Sequence, residues 1–221
     1  MIKSVLRTTG ALLVALISIS ASADRQPLLD SKTRFHPVIS QTGMVVSQEM
    51  IASQVGADIL AKGGNAIDAA VATGFALAVT LPRAGNIGGG GFMMIHLAEE
   101  NKTIAIDYRE MAPAEAFKDM FLNSEGDVDN RKAQFSIQSS GVPGTVAGLI
   151  HAQENYGKLS LKQVLKPAIN LARNGITVTI TLAESLAARS ERLQSDAGTK
   201  KYFFKKDGVE YQPGDVICQR D

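Results

Sequence analysis

The chain has 221 residues, enough for one domain with its own core, and 45% of them are hydrophobic. Its 23 Lys and Arg nearly balance 22 Asp and Glu, which excludes the strongly basic surface of a nucleic-acid or anionic-membrane binder. With no Trp and one cysteine, Cys218, stability has to come from packed Ala, Val, Ile, Leu and Met and not from internal disulfides.

Lys3 and Arg7 precede an apolar run from Ala11 to Ile19, and Ala21-Ser22-Ala23 supplies the small residues of a cleavage site. Residues 1–23 therefore read as a secretory signal peptide cut after Ala23, since the apolar run is too short to span a bilayer. The exported chain, periplasmic or secreted, would carry 21 basic against 22 acidic residues. Residues 24–42, with Pro27 and Pro37, read as a flexible lead-in, and 43–221 as the folded portion.

Gly43–Ser47 reads as a short strand. A helix follows over Glu49–Lys62, with Ile51, Val55 and Ile59 at helical spacing, Ser47 as its cap and Gly63 as its stop. Asn65 caps a second helix reaching Leu81, with Asp68 in the first turn where the helix dipole favours an acid. That helix is apolar all round, which predicts burial under a sheet.

Arg83 to Pro113 concentrates more local constraint than any other stretch. Gly88 to Gly91 is costly in unfolded-state entropy unless close backbone approach or positive φ is needed there. No Lys-Ser/Thr follows it and Phe92–Leu97 reads as a buried strand, so a phosphate loop is excluded and a glycine hinge or a close approach remains. Thr103–Tyr108 alternates as a second strand, which places Arg109 at its end, just before Met111-Ala112-Pro113. A guanidinium there can hold an amino-acid α-carboxylate in a bidentate fork, or can pair structurally with Asp107 or Glu110.

Downstream, Ala114–Leu122 reads as helical and Asn123–Asn130 as an exposed acidic loop. Pro143 opens a helix that Gly157 closes, and Ser160 caps another with a stripe of Leu161, Val164, Leu165, Ala168, Ile169 and Ala172, kinked or split at Pro167. Thr181 to Glu184 forms a capping box for a helix to about Leu193, and the tail from Lys200 turns at Asp207-Gly208. His36, His96 and His151 are isolated, so no metal site is expected, and Cys218, at the chain's end without a neighbouring histidine, is not a nucleophile.

Four motifs in combination carry a family resemblance: GGNA-x-DAA at Gly63–Ala70, AGN-x-GGGGF at Ala84–Phe92, DYREMAP at Asp107–Pro113, and G-x-PGTVAG at Gly141–Gly148. With the sequence around them, from Gly43 to the C-terminus, the chain closely resembles the N-terminal, large-subunit part of bacterial γ-glutamyltranspeptidases. The resemblance implies an α+β fold, the N-terminal part of the αββα sandwich of N-terminal-nucleophile hydrolases, incomplete without the second subunit. It also implies that Arg109 binds the α-carboxylate of the γ-glutamyl group.

The implied activity cleaves the γ-glutamyl bond of glutathione and passes the glutamyl group to water, amino acids or dipeptides, without cofactor or metal. Its nucleophile is a threonine freed by self-cleavage, whose own α-amine is the base. No Thr-Thr-His junction occurs in these residues; Thr8-Thr9 is followed by Gly10, inside the signal peptide. Thr145 is no substitute, being internal and within an expected helix. The chain is therefore expected to need a C-terminal small subunit carrying the nucleophile and to be inactive alone. A related acylase taking a glutaryl-cephalosporin side chain, or an inactive truncated product, are the alternatives. N-terminal sequencing of the exported protein is expected to begin near Asp24; recovery of Met1 would overturn the signal-peptide reading.

Overall fold

In a computed structural model the described residues are 39–220, so the expected signal peptide and most of the lead-in lie outside them. From residue 42 onward the order is two helices, a hairpin, and a series of helices closed by a short strand pair.

Helix α1 spans Met50–Ala61. Its cap is Glu49 and not Ser47: the Glu49 carboxylate accepts from the Ile51 and Ala52 amides at 2.8 and 3.3 Å. A charged oxygen at a helix start gains from the dipole where a hydroxyl does not. Ser47 instead donates to the Glu49 carbonyl and shares a bond with the Ser53 hydroxyl. Gly63, at φ +87°, ends the helix as expected. Gly43–Ser47, expected as a strand, has no strand partner among the described residues.

Helix α2, Ala66–Thr80, has the expected capping box: Asn65 Oδ1 accepts from the Ile67 and Asp68 amides, and Asp68 Oδ2 accepts from the Asn65 amide at 2.7 Å. Its burial is achieved mainly by helices, with the hairpin that follows it in the chain packed against the same core. Helix α1 and two later helices, α4 (Thr145–Tyr156) and α5 (Leu161–Asn174), pack on it. Small residues permit this: a Cβ on Gly56 of α1 would overlap Thr73, and one on Gly74 would lie 3.1 Å from Leu149. Val55, Ile59, Val71, Phe75, Leu149 and Val164 centre the resulting core.

Strands β1 (Phe92–Leu97) and β2 (Lys102–Asp107) form an antiparallel hairpin with Phe92 opposite Asp107 and Ile95 opposite Ile104. Met93, Ile95, Ile104 and Ile106 face the helical core. The outer face of β1, read as a buried strand of a sandwich incomplete without its second subunit, is open in this chain: Phe92 and Met94 are 65% and 69% exposed. One covered face gives half a sandwich.

The expected helix over Ala114–Leu122 is absent. Its backbone makes separate three-residue turns, from Ala116 to Pro113, Met120 to Phe117 and Leu122 to Asp119, because Phe117 finds no core to bury against. Asn123 Oδ1 then gathers the Glu125 and Asp127 amides, and Asp129 caps a helix the sequence did not announce, α3 over Asn130–Phe135.

Helix α4 begins two residues later than Pro143 suggested, and Gly157 closes it. Helix α5 carries Pro167 within one continuous helix, with Val164 and Ala168 buried while Ile169, placed on the stripe, is exposed. Helix α6, Ile180–Ala187, is capped by Thr179 and not Thr181, and stops short of Leu193; α7 (Ser190–Ser195) and α8 (Ala197–Phe203) follow as separate short helices. Asp207 and Gly208 make the expected turn with φ of +63° and +79°. Strands β3 (Ile176–Thr177) and β4 (Val216–Ile217) pair over a second small core of Val178, Leu182 and Leu186.

Asp68 ties the helices together. It is fully buried, and Oδ1 accepts from Gln153 Nε2 at 2.6 Å and from the Lys158 and Leu159 amides at 3.0 Å each. Burial pushes its pKa up, but the bonds from Gln153, Asn65, Leu159 and Lys158 outweigh burial and hold the carboxyl below its ordinary value. The folded state thus binds this proton less readily than the unfolded chain. The stability it contributes is present above the ordinary carboxylate pKa and is lost as pH falls through the depressed folded value. Asp68→Ala is expected to destabilise by on the order of 3–5 kcal/mol, by stranding several buried donors, and to flatten the acid limb of the stability profile. Denaturant melts from pH 7 to pH 3 measure both; a loss under about 1 kcal/mol with the acid limb intact would contradict the assignment.

Candidate substrate-binding site

The chain from Tyr108 to Met111 is threaded between two glycine-rich loops. On one side lies the run Gly88–Gly91, on the other Gly141-Val142-Pro143-Gly144 leading into α4. The ladder of the hairpin continues one step past β2: Tyr108 N donates to Gly91 O at 3.0 Å and Gly91 N to Tyr108 O at 3.4 Å. Three residues on, Met111 and Val142 exchange amide bonds at 3.3 and 2.8 Å. Arg109 sits between these two reciprocal clamps.

The glycines are there for close approach. None of the four in Gly88–Gly91 has positive φ. A Cβ on Gly90 would lie 2.6 Å from the Glu110 amide nitrogen and 2.7 Å from the Tyr108 carbonyl; one on Gly141 would lie 2.9 Å from Glu110 Cβ. A Cβ on Gly144 would overlap the Tyr108 carbonyl. Of the two readings left open by the sequence, close approach is the one observed; the run lies in the connection of residues 81–91 between α2 and β1. The glycine run also contributes an acceptor. Gly89 O takes the amides of Gly144 and Thr145 at 2.9 and 3.0 Å, satisfying donors at the start of α4 that have no partner within the helix.

Arg109 is exposed and follows Tyr108 in strand alternation, so the two side chains leave opposite sides of the backbone. Asp107 Oδ1 accepts from the Arg109 backbone amide at 3.0 Å, turning the chain out of β2. Neither Asp107 nor Glu110 forms a salt bridge with the guanidinium, which among the described residues has no carboxylate partner. It borders a hollow of about 390 Å³ whose other walls include Pro113, Met120, Phe121, Gln138 and Ser140. The Glu110 carboxylate instead lies over the glycine run, beside Gly90.

The remaining candidates lie elsewhere. Thr145 is the first residue of α4, internal to the chain, with its amide spent on Gly89. His96 contacts its cross-strand neighbour Thr103 on the hairpin, and His151 contacts Asn155 one turn on in α4. Cys218 follows β4, in the second small core region. What the sequence reading missed is that the glycine run, DYREMAP and G-x-PGTVAG are one assembly; the spacing of Gly141, Gly144 and Gly148, three residues and then one helical turn, was the available signal.

The family model for gamma-glutamyltranspeptidase matches residues 52–221. The glutathione hydrolase proenzyme of Escherichia coli (strain K12) is 49% identical over 185 residues, 84% of this chain and 32% of that protein. The crystal structure of Helicobacter pylori gamma-glutamyltranspeptidase superposes with a TM-score of 0.81 at 46% identity, covering 83% of this chain and 53% of that one. The acylase ACY 1 proenzyme of Pseudomonas sp. (strain V22) is 37% identical over 191 residues, 84% of this chain and 34% of that protein. The chain spans about a third of the length of the curated relatives it matches. Its mixed helix and strand architecture is the α+β fold expected, that of part of an N-terminal-nucleophile hydrolase. With three of its four motifs assembled around one strand end and the family model matched from Ala52 onward, the chain belongs to the γ-glutamyltranspeptidase family.

Proposed function

We propose that this chain is the large-subunit portion of an exported enzyme that cleaves the γ-glutamyl bond of glutathione and hands the glutamyl group to water, an amino acid or a dipeptide. One observation carries the reading: Arg109 is an exposed guanidinium on a doubly clamped backbone, with no carboxylate of the described chain paired to it. A fixed backbone beneath a free guanidinium is a receptor for an incoming carboxylate, and its planar fork suits the α-carboxylate of the γ-glutamyl group.

The division of labour follows from what the residues offer. Arg109 holds the carboxylate end of the donor, which fixes where the γ-carbonyl lies. The attack belongs to a freed N-terminal threonine on a small subunit, since an internal threonine such as Thr145 lacks the free amine that would take its proton. No cofactor or metal enters the scheme. Self-cleavage of a precursor, periplasmic or secreted location and removal of residues 1–23 belong to the same reading; among the described residues no helix is long and apolar enough to cross a membrane.

Kinship to an acylase favours one second reading, the same architecture acting on a glutaryl-cephalosporin side chain. The two separate at Arg109. In a complex with the nucleophile-bearing subunit, Arg109→Ala is expected to lower kcat/KM for a γ-glutamyl anilide at least about a hundredfold, as loss of a charge-assisted fork implies, while substrates lacking the α-amino-acid head are little affected. Equal losses on both substrates would remove Arg109 from carboxylate recognition.

Residues 24–221 purified alone are expected to show no turnover of a chromogenic γ-glutamyl anilide. Detectable, enzyme-proportional release of the aniline would refute the requirement for a second subunit.

A further inference from the structure

We infer that Tyr108 is a positioning residue for Arg109, acting through its ring, and that Gly148 of α4 is the seat that ring requires. The inference rests on the reading of Arg109 as the carboxylate receptor and adds what aims it.

The ring lies directly on the backbone of α4. A Cβ on Gly148 would overlap Tyr108 Cβ, Cγ and Cδ1 together. The far edge of the ring meets the glycine run, where a Cβ on Gly91 would lie 3.0 Å from Cε2 and 3.2 Å from the hydroxyl oxygen. The aromatic plate is thus wedged between two stretches of backbone: at Gly148 there is no room for one more methyl group, and at Gly91 one would be a tight contact. Gly148 itself is buried, one helical turn beyond Gly144, whose own missing Cβ makes space for the Tyr108 carbonyl.

Arg109 depends on that wedge. Its guanidinium has no ion pair among the described residues to set its direction, so direction comes from the backbone alone. The Arg109 amide is held by Asp107, but Asp107 lies on the same strand and moves with it. The ring of Tyr108 is the side chain adjacent to Arg109 that locks the strand end to a separate rigid element. Packed interiors transmit a displacement of one methyl group instead of absorbing it. The Tyr108 hydroxyl makes no hydrogen bond to the described residues, and burial shifts its pKa further up from a value at which it is already neutral, so the contact is one of shape. The hydroxyl is therefore dispensable and the ring is not.

The test follows modification of Arg109 by phenylglyoxal, mapped by peptide mass spectrometry on residues 24–221, with exposed Arg131 as internal reference and L-glutamate at tens of millimolar as protecting carboxylate. In the wild-type chain and in Tyr108→Phe, glutamate is expected to slow modification of Arg109 several-fold and to leave Arg131 unchanged. In Tyr108→Ala and Gly148→Ala, Arg109 is expected to remain reactive but to lose most of that protection, and its unprotected rate relative to Arg131 is expected to change at least about twofold. Thermal melts run in parallel, so that the comparison is made well below each variant's transition; Tyr108→Ala keeps the test open if Gly148→Ala does not fold. Adding Gly148→Ala to Tyr108→Ala is expected to have little further effect, because the overlap has already been removed.

Protection and relative rate equal to wild type in a folded Tyr108→Ala or Gly148→Ala variant would overturn the inference. Absence of glutamate protection in the wild type, with a relative rate that still responds to Tyr108→Ala, would instead sink the carboxylate-receptor reading and leave the positioning contact standing.

Discussion

The carboxylate of Asp68 is the joint on which the arrangement hangs. It caps the start of α2, receives the side chain of Gln153 near the end of α4 and gathers the amides that lead into α5. Three helices would otherwise meet with unsatisfied donors in a dry place, where each orphan costs about 1–3 kcal/mol. Gln153 spends its second amide hydrogen on the Leu159 carbonyl, so the turn between α4 and α5 is held from both sides. A charge fully withdrawn from water is tolerated here because this many donors converge on it.

Fixing the C-terminal end of α4 fixes its beginning, since the helix is a rigid rod over its twelve residues. At that beginning stand Gly144 and Gly148, which receive the end of β2, and the amides that bind Gly89 O. The path of force runs from a buried carboxylate, along a helix, to a strand end carrying an arginine. Backbone is packed against backbone at that end, with glycine wherever a Cβ would intrude. Such contacts leave fewer soft side-chain torsions to relax than side-chain packing does, which suits the holding of a charged group in one place.

The hairpin shows the opposite property. Its inner face belongs to the helical core, while Phe92 and Met94 stand in the open on the outer face. A strand pair with one apolar face covered and one bare is an incomplete layer by the ordinary rules of sheet packing. The shortfall agrees with a chain that spans about a third of its relatives.

Much of this was legible in the residues. Asn65 with Asp68, Gly63, Gly157 and the Asp207-Gly208 turn announced themselves because caps and turns are satisfied within a few residues, and the local chemistry decides them. The two strands followed from their apolar runs and alternation, and Arg109's place at a strand end followed from the second; their pairing and register came from the structure. Local rules failed where two chemically plausible caps competed, as at Ser47 against Glu49 and Thr181 against Thr179, and where an apolar segment such as Ala114–Leu122 had no surface to fold onto. Sequence also suggested a sheet over α2, whereas small residues let three helices approach it first. What the tertiary structure alone decided is that the glycine run, the arginine strand end and the start of α4 are one object. Only a fold brings residues 90, 108 and 148 within a methyl group of crowding, because the space a missing Cβ leaves has no meaning until something occupies it.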